Sequence, residues 1–395
     1  MISHRQAFLD FLAQTSDAPM GLEVKKARGI YVQTTDGKRY IDLISGIGVS
    51  SLGHRNTKIL QAIRKQLGKY LHTMVFGEHI QAPQVKLARS LAKALPDPLS
   101  STFFVNSGSE AIEGALKLAK RHTKRHKIVA MENAYHGSSH GCLSLMSDPY
   151  YSNFYRPLLP EVYFATFNDI DSLNVIDQKT AAVVVEMVQG EGGYIAGNQY
   201  FISELRAKCT QMGCILIVDE IQSGMGRTGS LFAFEQYNIV PDILCLAKAF
   251  GGGMPLGAFV ARKELMMALS SKPVLGHIST FGGHPVSCAA ALTSLDILQS
   301  TSYIAEVKEK EALFRSLLMH PKIIQITGKG LMLGVELESP ELLQKVVANC
   351  IQQGVIIDWF LFDTKKLRIS PPLIITKAEI KRVCKILTNV LAIED

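Results

Sequence analysis

The residue with the clearest chemical potential in this 395-residue sequence is Lys248. It follows the apolar run Asp242–Ala247 and stands just before Gly251–Gly253. An unpaired ammonium is costly to bury, but a lysine whose pKa is lowered in a partly apolar site can attack a carbonyl and form a Schiff base. The glycines would let the backbone approach a bulky planar group or turn sharply. Taken alone, a lysine that extends its ammonium to water is the simpler interpretation.

A phosphate-binding site is one interpretation of Ser107-Gly108-Ser109, which lie between the apolar stretch 103–106 and a helical pattern. The unpaired N–H groups and the positive dipole end of a helix N-terminus together bind phosphate. Ser107 and Glu110 also have the spacing of an ordinary capping box, so the motif alone leaves both interpretations open.

A pair of carboxylates, Asp219 and Glu220, ends the predicted strand CILIVDE (214–220). Ligands of open α/β sheets gather at the carboxyl ends of strands, where a carboxylate could pair with a cationic ligand atom. A capping or loop carboxylate is the alternative. A phosphate cradle, a strand-end carboxylate and a strand-end lysine are together what pyridoxal 5'-phosphate needs, because it has a phosphate, a pyridine nitrogen and an aldehyde.

The stretch Gly224–Gly229 reads GMGRTG, which matches the G-x-G-x-x-G pattern of nicotinamide and flavin enzymes. Its context does not fit that pattern. Residues 221–223 separate it from the strand, the following SLFAFEQYN is a poor opening for a helix, and no acidic residue ends a next strand at the required distance. An NAD(P)-dependent oxidoreductase is therefore a remote alternative.

Short apolar runs that alternate with helical patterns must position these groups. The runs 103–106, 127–132, 181–187, 214–220, 242–247 and 257–262 predict buried strands. The alternation predicts an α/β domain with a mostly parallel sheet that is covered on both faces. Beyond about residue 290, amphipathic helices and the apolar stretches 331–338 and 366–374 predict a smaller α+β domain, and Asp36-Gly37 predict a hairpin near the N-terminus.

Composition favours a cytoplasmic globular protein. The chain is 47% hydrophobic, yet no apolar run approaches membrane-spanning length and the N-terminus lacks a signal-peptide pattern. The seven cysteines are dispersed without C-x-x-C, which predicts reduced, buried thiols, and the eleven histidines show no metal-ligand spacing. The net charge is +7, but its densest basic stretch, 120–127, follows a helical pattern and suits a helix C-terminus. We therefore expect no metal, nucleic-acid or membrane partner.

The order DEIQSGMGRTG (219–229) followed by PDILCLAKAFGGGMPLGA (241–258) resembles the class III (ω) aminotransferases, which are fold-type I pyridoxal-phosphate enzymes. The acetylornithine/ornithine aminotransferase group is the most similar, and the resemblance runs from residue 29 to residue 373. It implies a large domain over 46–290 with a mostly parallel seven-stranded sheet. It also implies a small α+β domain over 291–395 and an N-terminal segment, 1–45, that packs with the small domain.

The resemblance implies roles for particular residues. Lys248 would be the Schiff-base lysine that also moves the proton between substrate and cofactor, and Asp219 would pair with the pyridine nitrogen. Thr280 would reach the phosphate of a neighbouring subunit's cofactor, which implies a homodimer with shared active sites and leaves a tetramer open. The other implied cofactor contacts are Ser107, Gly108 and Ser109 to the phosphate, Tyr135 by ring stacking, Gln222 near the phenolic oxygen, and Glu186 in a supporting role.

Glu191 and Arg368 match the substrate pair of this family. The arginine would bind the α-carboxylate of glutamate or 2-oxoglutarate, and the glutamate would mask it when an ω-amine occupies the site. The implied reaction moves an amino group from an acetylornithine- or ornithine-like donor to 2-oxoglutarate, giving glutamate and an aldehyde or ketone. The sequence departs from the family at Ser138, because the family usually reads F-H-G-R and has an arginine at this position. That arginine binds the donor's far carboxylate, and serine cannot make the same charged, bidentate contact. Met187 also replaces a common proline.

Two alternatives remain besides the oxidoreductase. A pyridoxal-dependent isomerase, either an aminomutase or an amino-acid racemase, would use the same scaffold without an oxo-acid acceptor, and the pair Glu191 and Arg368 argues against it. A scaffold without catalytic activity would have no reason to keep the lysine, the aspartate and the phosphate loop together. The donor and the direction of flux are not determined by the sequence.

Overall fold

The computed structural model describes residues 2–75 and 77–393. Their α-helices are α1 (His4–Phe11), α2 (Ser45–Gly48), α3 (Thr57–Leu67), α4 (Ala82–Ala94), α5 (Gly108–Thr123), α6 (His140–Leu143), α7 (Pro149–Ser152), α8 (Gln199–Met212), α9 (Lys263–Met266), α10 (Pro285–Ser300), α11 (Val307–Leu317), α12 (Pro340–Gln352) and α13 (Lys377–Ile393). Short 3-10 helices cover Asn153–Tyr155, Asp171–Val175, Ala233–Tyr237, Lys248–Gly251 and Met267–Leu269.

The strands form four sheets. They are β1 (Val24–Arg28), β2 (Tyr31–Thr34), β3 (Arg39–Asp42), β4 (Ser101–Val105), β5 (Lys127–Met131), β6 (Val162–Ala165), β7 (Thr180–Glu186), β8 (Val188–Gln189), β9 (Ile195–Ala196), β10 (Ile215–Asp219), β11 (Ile243–Leu246), β12 (Gly257–Ala261), β13 (Ile323–Lys329), β14 (Met332–Leu337), β15 (Val355–Ile356), β16 (Asp358–Trp359) and β17 (Lys366–Ile369). The sheets contain seven, four, four and two strands.

The seven-stranded sheet has the order β4-β12-β11-β10-β7-β5-β6. Five strands, from β11 to β6, run parallel, and β12 is antiparallel to both of its neighbours. This mixed, mostly parallel sheet confirms the predicted α/β fold class. The six predicted strands are all present. The seventh, β6, was not predicted; it has four residues, of which only Ala165 is buried, so it gives a weak signal.

The central strands are buried along their whole length. Every residue of β7, β10, β11 and β12 is buried, as their unbroken apolar runs predict for strands that are covered on both faces. Helices α5 and α8 pack on this sheet. The basic run 120–127 lies at the C-terminal end of α5, which ends at a left-handed Lys124, so its interpretation as a helix C-terminus is confirmed.

The N-terminal hairpin joins the C-terminal part of the chain. Strands β2 and β3 pair antiparallel around Asp36-Gly37, and β3 continues the sheet through a parallel pairing with β15. A third sheet, of order β13-β14-β17-β16, carries Arg368 on β17. Helix α13 begins with a capping box, in which the Glu379 backbone N–H donates to the Thr376 hydroxyl and the Glu379 carboxylate accepts from the Thr376 backbone N–H.

The division of the chain into parts 1–45, 46–290 and 291–395 stays a proposal. Helix α10 crosses residue 290 and packs against α3, α4 and the 3-10 turn that begins at Lys248. We propose that the second boundary lies at the end of this helix, because dividing α10 would separate residues that belong to one packed element.

The GMGRTG stretch forms a tight turn and no helix follows it directly; the next helical element is the 3-10 turn Ala233–Tyr237. Arg227, within the stretch, is 1% exposed and ties three segments together. Its guanidinium donates to the Leu331 and Pro371 carbonyls and to the Ser51 hydroxyl. The stretch therefore packs the large sheet against the C-terminal part of the chain, and it lacks the strand–turn–helix geometry that a dinucleotide site requires.

All seven cysteines are buried and free, as the sequence predicted. Among residues 2–75 and 77–393, no helix is both long enough and apolar enough to cross a membrane.

Candidate active site

A cavity of about 440 Å³ opens at the carboxyl ends of the central strands. This is the edge where an open α/β sheet presents its ligand site. The cavity brings together eight of the residues that the sequence analysis selected, which are Ser107, Gly108, Ser109, Tyr135, Glu186, Asp219, Gln222 and Lys248.

Lys248 lies two residues beyond the end of β11, and its amine enters the cavity. Its backbone adopts a left-handed conformation with φ +49°, which is uncommon for a residue with a side chain and is held here by the surrounding packing. Burial lowers the pKa of its ammonium, and the charge of Arg368 adds to this effect. The carboxylates Glu191, Asp219 and Glu186 oppose it. The net lowering leaves the amine more available as a nucleophile.

Asp219 is 4% exposed, and both of its carboxylate oxygens have partners. One oxygen lies 2.7 Å from Nδ1 of His136, and the other accepts the Ile221 backbone N–H at 2.9 Å. Burial disfavours the charged imidazole, but the hydrogen bond and the charges of Asp219 and Glu186 outweigh burial and raise the pKa of His136. The sequence analysis did not select His136, so its contact with Asp219 is a finding of the structure.

The neighbouring carboxylate Glu220 has a structural role. It is 1% exposed and accepts the backbone N–H groups of Ala233 at 2.7 Å and Phe234 at 2.6 Å. Burial raises its pKa to about 8. Glu220 does not line the cavity and anchors the following turn, which separates the roles of the two adjacent acids.

Helix α5 begins at the cavity. The Ser107 hydroxyl accepts the Glu110 backbone N–H at 3.2 Å, which is an ordinary N-cap contact. The Glu110 carboxylate reaches the backbone and side-chain nitrogens of Asn106 at 3.0 and 2.9 Å, so the reciprocal half of the predicted capping box does not form on Ser107. The first turn of α5 thus faces the cavity with its positive dipole end, as a phosphate site requires.

Two glycines allow this cradle to close. A Cβ on Gly257 would lie 2.2 Å from the Ser107 backbone oxygen, and a Cβ on Gly137 would lie 2.1 Å from the Ser109 hydroxyl. Gly137 also has φ +121°, which disfavours a side chain. At the cradle, the segments of Gly137 and Gly257 approach the Ser107–Ser109 segment closely. A residue larger than glycine at either position would prevent this approach.

Glu186 and Gln222 complete the wall. Glu186 accepts the backbone N–H groups of Gly190 at 2.9 Å and Tyr135 at 3.2 Å. Burial raises its pKa to about 7, the charge of His136 opposes the rise, and Asp219 adds to it. The oxygen of the Gln222 amide accepts the Tyr194 hydroxyl at 2.8 Å, which leaves its amide nitrogen as a donor.

Glu191 and Arg368 lie 177 positions apart in sequence and form a buried, bidentate ion pair. The guanidinium nitrogens reach the two carboxylate oxygens at 3.0 and 2.6 Å. A second cavity, of about 520 Å³, contains this pair and shares Tyr135 and Lys248 with the first. The arginine is therefore placed where it can meet a substrate that reacts at the lysine.

Asp358 was not selected from the sequence, although it also lines the second cavity. Its carboxylate lies 3.2 Å from Nε of Arg368. No sequence signal identified it, because its pairing with Arg368 arises from the antiparallel register of β16 and β17.

Two other residues named from the sequence, Thr280 and Ser138, line neither cavity. Thr280 is exposed on the segment between α9 and α10 and does not line either cavity of its own chain. Ser138 is exposed, and its hydroxyl lies 3.0 Å from that of Tyr135.

The chain matches the family described as aminotransferase class-III over residues 12–391. It is 36% identical over 380 residues to the acetylornithine aminotransferase of Aquifex aeolicus, covering 95% of this chain and 98% of that protein. It is 38% identical over 377 residues to the acetylornithine aminotransferase of Methanocaldococcus jannaschii, with 92% of each chain covered.

Solved structures share the fold. The ornithine aminotransferase of Toxoplasma gondii superposes with a TM-score of 0.92 at 27% identity, covering 98% of this chain and 93% of that one. The (S)-enantioselective omega-transaminase of Thermomicrobium roseum superposes with a TM-score of 0.88 at 28% identity, covering 98% of this chain and 97% of that one.

The close approach of Gly257 to Ser107 gives a testable expectation. Gly257→Ala forces a methyl group against a backbone oxygen, so we expect a loss of about 1–3 kcal/mol in the free energy of unfolding. Gly251→Ala is the matched control, because its Cβ would meet Leu256 at an ordinary 3.5 Å, and we expect a change within about 0.5 kcal/mol. Urea unfolding measures both variants. Equal stability of the two would contradict the cradle geometry.

Proposed function

Because the chain belongs to the class-III aminotransferases, we propose that it moves an amino group from an amine or ω-amino acid to 2-oxoglutarate. The products are glutamate and an aldehyde or ketone. The family uses pyridoxal phosphate. The observation that carries the proposal is the bidentate Glu191–Arg368 pair, which lines the same cavity as the Lys248 amine.

The residues of the first cavity fit the cofactor. Ser107, Gly108 and Ser109 at the N-terminus of α5 would hold its phosphate, in a cradle that the nearby glycines allow. Asp219 would pair with the pyridine nitrogen, and Tyr135 would stack on the ring. The Gln222 amide nitrogen would donate to the phenolic oxygen. When bound, the cofactor supplies a ring that withdraws electrons from the substrate carbon.

Lys248 acts as nucleophile and as proton carrier in this proposal. Its lowered pKa leaves the amine able to bond to the cofactor aldehyde. With the cofactor and a substrate bound, the free amine would be the group that accepts and returns the proton of the substrate carbon. His136 contacts the Asp219 carboxylate and restricts its orientation, so Asp219 would be held in place to pair with a protonated pyridine nitrogen. Glu186 supports Tyr135 through its backbone N–H.

Arg368 serves two kinds of substrate by exchanging partners. Its two terminal nitrogens are the groups that bind a carboxylate in fork geometry, and Glu191 occupies both of them. Glutamate or 2-oxoglutarate would displace Glu191 and take its place. An amine without a carboxylate near its reacting carbon would leave the pair closed, so that no charge is left unpaired.

The donor is proposed from the relatives alone. The names of the most similar curated proteins make acetylornithine the first candidate, and the Toxoplasma neighbour adds ornithine. Among the described residues that line the two cavities, the cationic side chains other than His136 are Lys248 and Arg368, and Ser138 offers only a hydroxyl. A donor carboxylate far from the reacting amine thus meets no matching arginine in this chain.

We also propose a homodimer in which Thr280 contributes to the neighbouring subunit's site. Thr280 is exposed, and the segment around it presents the apolar residues Val274, Leu275, Ile278 and Phe281 to solvent. Exposed apolar patches of this kind mark protein interfaces. A cytoplasmic location completes the proposal, because seven free, buried thiols suit a reducing compartment.

The principal test is a half-reaction of the holoenzyme with single donors and no oxo acid, followed by the absorbance of the cofactor. We expect conversion by glutamate and by at least one amine. Arg368→Lys keeps the charge but loses the fork, so the glutamate concentration for half-maximal rate should rise at least about tenfold. Lys248→Ala should abolish turnover. A holoenzyme that glutamate does not convert would contradict the proposal and favour the isomerase.

The role of Ser107 in phosphate binding can be tested against a matched control at the N-terminus of α12. Ser107→Ala and Ser339→Ala each remove an N-cap hydroxyl whose contact with the third helical N–H is 3.2 Å. Both should lose about 1 kcal/mol of stability. Only Ser107→Ala should also weaken binding of pyridoxal phosphate, by about tenfold, because hydrogen bonds to charged groups are the stronger ones. Equal cofactor affinity of the two variants, in an absorbance titration, would refute the assignment.

The shared site is tested by pairing two defective chains. Differently tagged Lys248→Ala and Thr280→Ala subunits are co-expressed, and the mixed dimer is purified. If Thr280 serves the partner, one site of the mixed dimer carries both changes and the other is intact, so half of the sites should bind the cofactor with wild-type affinity. If Thr280 serves its own chain, no intact site exists, and the affinity should stay at the Thr280→Ala level.

A further inference from the structure

Arg368 has a second carboxylate neighbour. Asp358 stands opposite Arg368 in the register of β16 and β17, and its Oδ1 lies 3.2 Å from the guanidinium Nε. Glu191 already occupies the two terminal nitrogens of the same guanidinium. With both acids ionised, one positive charge lies between two negative charges, so this cluster carries one excess negative charge.

The surroundings of Asp358 act on its pKa in opposite directions. Burial raises its pKa to about 6, Arg368 on β17 opposes the rise, and Glu191 and Asp42 on β3 add to it. Asp42 has its own partners, because it lies 2.8 Å from His54 and accepts the backbone N–H groups of Ile44 and Ser45. The excess negative charge therefore belongs to the cluster that Arg368 forms with Asp358 and Glu191.

The cluster faces the space that a donor must occupy. Asp358 and Arg368 line the cavity of about 520 Å³ that also contains the Lys248 amine. Met20, Ile47, Trp359 and Leu361 form apolar walls in the same cavity, and each keeps between 38% and 42% of its surface exposed. A donor that enters with its amine toward Lys248 meets apolar walls and a negative charge, and such walls are typical of a site for an apolar chain.

We propose that Asp358 is a specificity-determining residue that makes this cavity select amine donors with a cationic far end over donors with a carboxylate there. The chemical class is a short aliphatic diamine, whose methylene chain suits the apolar walls and whose second ammonium balances the excess charge. An anionic far end would add to that charge, and Ser138 provides no cation to compensate. The inference rests on the proposed aminotransferase function and narrows its donor.

Three donors of equal length test the proposal, because they share the reacting end and differ only at the far end. They are 1,4-diaminobutane, 1-aminobutane and 4-aminobutyrate, each given to the holoenzyme in the half-reaction. We expect the rate at limiting concentration to fall about tenfold from the diamine to the monoamine, and at least about tenfold again to the amino acid. Equal rates for the diamine and the monoamine would overturn the proposal.

Variants at the cluster locate the effect. Asp358→Asn should reduce the diamine preference over 1-aminobutane to about one, because it removes the charge at nearly constant volume. Asp358→Glu, which keeps the charge, should retain a preference. Asp363→Asn is the matched control, since Asp363 pairs with Lys366 at 2.8 Å and does not line the cavity. A preference that survives Asp358→Asn, or that Asp363→Asn removes equally, would overturn the assignment.

A binding measurement separates recognition from turnover. N,N,N',N'-tetramethyl-1,4-diaminobutane has no primary amine and cannot react with the cofactor, so calorimetry reports its binding to the holoenzyme alone. We expect Asp358→Asn to weaken this binding about tenfold, and unchanged affinity would contradict the inference. The half-reaction with glutamate separates a failure of the proposed donor from a failure of the proposed function. Conversion of wild type by glutamate but not by the diamine overturns only the donor assignment, whereas failure with glutamate overturns the proposed function.

Discussion

Burial of the central strands on both faces is the constraint on which this active site depends. Strands β7, β10 and β11 consist of buried residues, so polar groups that must serve a ligand are confined to the strand ends. The parallel pairing of β7 with β10 aligns Glu186 directly with Asp219. The helix after β4 then turns its positive end toward the same edge. One packing requirement thus brings an acid pair and an anion-binding helix to one place.

The same edge must accommodate several charges that water no longer screens. Asp219 is stabilised by His136 and by a backbone N–H, and Glu186 by two backbone N–H groups. Arg368 balances Glu191 directly, and the three carboxylates Glu191, Asp219 and Glu186 oppose the lowering of the Lys248 pKa. Because burial disfavours every one of these ions, each is held by hydrogen bonds or by an opposite charge. In the proposed function, a cofactor with a cationic nitrogen and an anionic phosphate would complete the balance at Asp219 and at α5.

Reaction with two chemically different substrates imposes a further requirement at Arg368. An arginine that binds a carboxylate in one half of the reaction must be neutralised in the other, and we propose that the Glu191 carboxylate, which pairs with both terminal nitrogens, does this. The side contact with Asp358 lies outside the fork. Asp358 adds a negative charge beside the guanidinium but blocks neither terminal nitrogen. It can therefore influence which amine enters, while a substrate carboxylate can still replace Glu191.

The sequence by itself determined six strands of the large sheet and the N-terminal hairpin, because local apolar periodicity and turn motifs encode these features. It also selected Lys248, Asp219 and Ser107–Ser109 as candidate site residues, and their roles stay predictions. It missed β6, whose half-exposed pattern is weak. It could not show that His136 holds Asp219, that Glu220 is structural or that Arg227 ties distant segments. Asp358 reaches Arg368 only through the pairing of β16 with β17. Such contacts join residues far apart in the chain, and their partners are fixed by tertiary packing alone.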